Sequence, residues 1–147
     1  MKKILTLIVF ISPLFLYSQQ KEDITIQEPM IRLVPSASPN TGGFMKISNN
    51  TPKEIKLIKA ESDFSQTVEL HNVVFENAKM MMRPIESIVI PANSTVELRP
   101  GSLHIMFIGL KNPLTTSDTK KVTLTFDNNK NIIVDMPVKE ISMQMKK

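Results

Sequence analysis

The sequence predicts an all-β fold, a single sandwich or barrel of about eight to nine short strands. Three observations lead there. Apolar and polar residues alternate over short runs from Ile24 onward, the period of a half-buried strand. The gaps between runs are rich in Pro, Gly, Asn, Asp and Ser, each of which favours turns for its own backbone reason. No stretch holds a helical period long enough to compete. A chain of 147 residues, 41% hydrophobic and 22% charged, suits one globular domain with a self-sufficient core.

The elements follow in order. Lys2 and Lys3 precede the apolar run Ile4–Leu16, which is too short to span a bilayer, where roughly 20 apolar residues are needed. The run ends at Tyr17-Ser18-Gln19, and the small Ser18 offers a cleavage point, so residues 1–18 read as a signal peptide and 19–147 as the mature domain. No cysteine follows the apolar run, which argues against a lipid-modified cysteine. Strands are expected at Ile24–Val34, Phe44–Ser48, Glu54–Glu61, Thr67–Phe75, Ser87–Ile90, Thr95–Arg99, Leu103–Gly109, Lys121–Phe126 and Ile132–Val138. Glu54–Glu61 has helix-compatible charge spacing, but Ile55 and Leu57 alternate with Glu54 and Lys56 directly after Pro52, which favours a strand. Pro35–Gly43 and Glu76–Lys79 are expected as turns, with Met80, Met81 and Met82 at the mouth of a loop.

Composition excludes several functions. With no cysteine there is no disulfide scaffold, thiolate zinc site, iron–sulfur cluster, blue-copper centre or cysteine nucleophile. The formal charge of +4 falls to +2 once Lys2 and Lys3 leave with the signal peptide, too little to imply a partner. The mature chain keeps Phe44, Phe64, Phe75, Phe107 and Phe126 but neither Tyr nor Trp, so stacking on nucleic-acid bases has no support. Neither G-x-S-x-G nor H-E-x-x-H occurs, and an enzyme is not expected.

Against the missing thiols stand ten methionines and two histidines. In His104-Ile105-Met106 the spacing of two puts an imidazole and a thioether on one strand face. His71 shares its face with Glu69 and Val73. Thioether sulfur is soft and neutral and imidazole is borderline, a mixture that favours Cu(I) over zinc, calcium or magnesium. Outside the cytoplasm, methionine gives a soft ligand that disulfide formation cannot remove. Taken singly, each of these residues reads as packing or surface, because methionine is a common gap-filler.

The spacing of the whole set, H-x10-M-x21-H-x-M over His71, Met82, His104 and Met106, resembles the motif of the periplasmic copper chaperones of the PCuAC family. The flanking blocks agree, among them Val68-Glu69-Leu70-His71, Met80-Met81-Met82-Arg83-Pro84, Thr95-Val96-Glu97-Leu98-Arg99-Pro100-Gly101 and Val122-Thr123-Leu124-Thr125-Phe126, over roughly Ile24 to Val138. The resemblance implies a cupredoxin-like β-barrel, with His71, Met82, His104 and Met106 as Cu(I) ligands. It also implies an extracytoplasmic carrier that supplies the copper-accepting subunit of cytochrome oxidase, alongside Sco-type thiol proteins. Many members have Met two residues after the first histidine, where this chain has Val73; Met80 and Met81 are the alternatives that would substitute for or assist Met82. Met143 and Met145 near the end read as a solvated tail. With no apolar stripe left over, a monomer is expected. The competing reading is a secreted β-sandwich interaction module whose His and Met are incidental.

Overall fold

The computed structural model describes residues 22–141; the expected signal peptide, Met143 and Met145 lie outside the described residues. Ten strands and no helix make up the described part: β1 (Ile24–Arg32), β2 (Asn40–Asn49), β3 (Ile55–Glu61), β4 (Ser65–Glu76), β5 (Lys79–Pro84), β6 (Ile88–Ile90), β7 (Ser94–Leu98), β8 (His104–Leu110), β9 (Thr119–Phe126) and β10 (Asn131–Lys139). The all-β expectation holds. Hydrogen-bonded neighbours run β5-β4-β8-β2-β1-β10-β9-β3-β6, with β7 on β2 beyond the end of β8.

Pairing is antiparallel except at one seam. There β1 meets β10 in parallel over only Ile31↔Val138 and Arg32↔Lys139. The seam joins two ladders, β5-β4-β8-β2-β1 and β10-β9-β3-β6, whose apolar sides share one core. In β9 and β10 the alternation is regular: Val122, Leu124, Phe126, Val134, Met136 and Val138 are buried, while Asn131, Ile133 and Asp135 face solvent. Phe107 of β8 is fully buried, its ring centroid 4.7 Å from that of Phe64.

Two expectations need correction. Met80–Met82 do not sit at the mouth of a loop but inside β5, a strand paired with β4 from His71↔Pro84 to Glu76↔Lys79. Every residue of β5 is exposed, so pairing with β4 and not core burial holds it, and no burial period marks it in the sequence. The second correction is β2, which begins at Asn40 and takes in Gly42 and Gly43, expected as turn. The reason for Gly43 is close approach: a Cβ built there would lie 2.7 Å from the Phe107 ring and 3.2 Å from the Met136 methyl. Glycine lets β2 of one ladder pass the core residues of β8 and β10. Gly43→Ala is therefore expected to cost about 1–3 kcal/mol by overpacking. A lowered urea midpoint with an unchanged slope would register it, and a parental midpoint would refute it.

Candidate metal centre

The β4–β8 ladder pairs His71 directly with His104 and Glu69 with Met106. Directly opposed residues share a sheet face, so these four side chains stand together. Leu70, Ile105 and Phe107 take the other face and enter the core, which fixes the orientation of the histidines: a one-residue slip of β8 would expose Ile105. On the outer side of β4, β5 pairs Val73↔Met82 and Phe75↔Met80, so Met80 and Met82 join the His71 face while Met81, opposite Val74, leaves it. On the other flank Met106 lies opposite Gly42 of β2, where the Phe44 ring takes the space a Cβ would fill.

Both imidazoles are buried, His71 at 8% and His104 at 4% exposure, with ring centroids 5.5 Å apart and planes tilted by 52°. The Phe44 ring flanks His104 at 6.4 Å. Each imidazole has one nitrogen engaged. His104 Nδ1 is 2.8 Å from the Ser102 carbonyl oxygen, and His71 Nε2 is 2.7 Å from Glu69 Oε2. A carbonyl or carboxylate oxygen can only accept, so both engaged nitrogens carry the proton of a neutral ring. The lone pairs then lie on His71 Nδ1 and His104 Nε2. Among the described residues these two atoms are the buried side-chain nitrogens and oxygens without a hydrogen-bond partner.

Leaving such an atom unpaired costs about 1–3 kcal/mol, so these two nitrogens on facing residues are the candidate donors of the site. Burial pushes the His104 pKa below its ordinary value; the Ser102 carbonyl opposes this and the neighbouring His71 adds to it. The ring is thus held neutral, as a metal donor must be. The Glu69 carboxylate orients the His71 ring, the usual place of a carboxylate behind a ligating histidine.

The four residues expected as ligands occupy one sheet face across β5, β4 and β8. Met106 is half-buried beside the histidines, and Met82 is exposed on the adjoining strand. Among the described residues no group of three or more His, Cys, Asp or Glu is placed to hold a metal. The Ser102 carbonyl behind His104 was not expected from sequence; only the i, i−2 spacing of Glu69 foretold a neighbour for His71. A separate open cavity of about 970 Å³ lies where β1 and β10 diverge from their seam, lined by Ile24, Ile26, Ile132 and Val134 among others, and contains none of these residues.

A family model described as "Putative lipoprotein LpqE-like" matches residues 24–138. A Leifsonia xyli subsp. xyli protein, "Putative lipoprotein Lxx21020", is 30% identical over 125 residues, covering 84% of this chain and 74% of its own length. An uncharacterized Rickettsia prowazekii protein is 27% identical over 132 residues, covering 82% and 73%. Among solved structures, the solution structure of CuI-DR1885 from Deinococcus radiodurans matches with a TM-score of 0.65 and 27% identity over 84% of this chain and 83% of that one. The copper-bound PCuAC domain from PmoF2 matches with a TM-score of 0.69 at 20% identity, over 82% and 95%.

Proposed function

We propose, since the chain belongs to the LpqE-like family of PCuAC type, that it is an extracytoplasmic Cu(I) carrier binding one ion through His71, Met82, His104 and Met106. The observation that carries this reading is the pair of buried, unpartnered nitrogens, His71 Nδ1 and His104 Nε2, on directly opposed strand positions. Two neutral imidazoles and two neutral thioethers suit a soft monovalent ion and leave its charge uncancelled, so the ion passes readily to a thiolate acceptor. Copper centres of respiratory oxidases, served together with Sco-type thiol proteins, are the destination this reading assigns. Nothing in the proposal calls for catalysis. The family description and the Leifsonia xyli relative's name speak of lipoproteins; this sequence holds no cysteine, and secretion through the leader at residues 1–18 is the route proposed here.

The test is titration of the mature protein with Cu(I) against a colorimetric chelator. One ion per chain is expected, with no visible ligand-field band, because the d shell is full. Failure to compete with the chelator refutes the proposal. A pH series adds a second expectation. Protons compete with copper for the histidine lone pairs, so affinity is constant above about pH 7 and falls below about 6.5, by about tenfold per pH unit for each histidine that has protonated. Burial shifts the His104 contribution to the lower end of that range. An affinity flat from pH 5 to 8 would exclude histidine ligation.

A further inference from the structure

We infer that Met80 is an outer thioether through which Cu(I) enters and leaves the histidine pair, an inference that rests on the copper reading above. Met80 pairs with Phe75, Met82 with Val73 and Pro84 with His71, so Met80, Met82 and His71 lie on one face of the β4–β5 ladder. Exposure grades outward along that face: His104 at 4%, His71 at 8%, Met82 at 57% and Met80 at 66%. A methionine that fills a core gap is buried; this one is open to solvent.

Its end is nevertheless placed. A Cβ built on Gly101 would lie 3.9 Å from the Met80 methyl, so the side chain reaches from β5 to the loop before β8. Gly101 precedes Ser102, whose carbonyl holds His104. Met80 therefore runs between the strand carrying Met82 and the loop that positions His104. The hairpin setting it there is tight: Asn77 and Ala78 both have positive φ, 50° and 61°, the two-residue turn that matches strand twist. Alanine there costs about 1–2 kcal/mol against a right-handed conformation.

The step is a ligand exchange. Copper bound to Met82 gains a bond to the Met80 sulfur and loses its bond to His71 Nδ1; no electron and no proton moves, and the reverse sequence loads the site. Making one soft bond as another breaks spares the ion a bare intermediate. Met80 accelerates exchange without being a resident ligand.

Stopped-flow transfer of Cu(I) from the loaded protein to a saturating chelator, with equilibrium competition alongside, tests this. Met80→Ile is expected to keep its dissociation constant within about threefold of the parent while transfer slows about tenfold, the loss of about 1.4 kcal/mol of barrier lowering. Met81→Ile, on the opposite face, is expected to match the parent in both. A parental transfer rate in Met80→Ile overturns the inference. So does an affinity loss as large as that of Met82→Ile, which would make Met80 a resident ligand, or equal slowing by Met81→Ile, which would make the effect one of surface hydrophobicity. Methyl NMR gives a reading independent of transfer. At half-saturation the Met80 methyl signal is expected to be exchange-broadened and that of Met81 sharp; a sharp, unshifted Met80 methyl also overturns it. If the parent takes up no Cu(I), the copper reading itself has failed; if it binds and Met80→Ile behaves like it, only the exchange role has.

Discussion

His71→Ala and His104→Ala are each expected to weaken Cu(I) binding by at least about a hundredfold. Removing a partner that merely orients a metal ligand costs about 10–100-fold, so removal of the ligand itself should meet or exceed the top of that range. Apo-protein stability is expected to respond quite differently. Each histidine presents a buried nitrogen with no partner, so truncation relieves a desolvation cost of about 1–3 kcal/mol while opening a cavity of comparable cost. The two offset, and the urea midpoint should move little. Loss of affinity with an intact fold separates a ligand from a packing residue. Chelator competition unchanged in both variants would sink the assignment, and a collapse of stability would turn the histidines back into core.

The largest effect on folding is expected at Phe107. Its ring is fully buried on β8, 4.7 Å from Phe64, and lies against the space Gly43 leaves open. Phe107→Ala should cost about 3–5 kcal/mol. Out of about 5–15 kcal/mol for a whole domain, that leaves a marginal protein. Ile133→Ala on β10, whose side chain is two-thirds exposed, should stay within about 0.5 kcal/mol of the parent. Chemical denaturation of both variants provides the check; similar midpoints would mean that the core is not organised around Phe107. Because Met106 precedes Phe107 on the same strand and points to the other face, the destabilised variant should also bind copper less firmly.

Strands whose one face is buried were the legible ones. β9 and β10 show the alternation in their residues because Val122, Leu124, Val134 and Met136 enter the core while their neighbours do not. β2 was only half legible, since Thr41 to Met45 are buried on both faces and two glycines sit among them; the close approach that demands Gly43 comes from strands distant in sequence. β5 carried no signal of its own, being an exposed edge defined by its partner's backbone. At the site, the motif spacing singled out four residues that the fold places on one sheet face, and the His-x-Met spacing gave part of that face. That His71 opposes His104 follows from a register 33 positions apart in the chain, which local spacing does not encode. The choice of tautomer depends on Glu69 and Ser102, and requires the folded geometry.

The placement of Met82 on β5 has a kinetic consequence. The histidines and Met106 are carried by β4 and β8, each hydrogen-bonded on both sides, whereas β5 terminates its sheet and is hydrogen-bonded to β4 alone. Terminal strands detach at a small fraction of the free energy of global unfolding. The proposed cage thus has three walls with the lifetime of the fold and a fourth that frays, and a bound ion would stiffen the fraying wall. Amide protons of β5 should be the ones whose hydrogen exchange slows most on loading, and spontaneous release should follow the peeling of a single strand, leaving the rest of the domain closed.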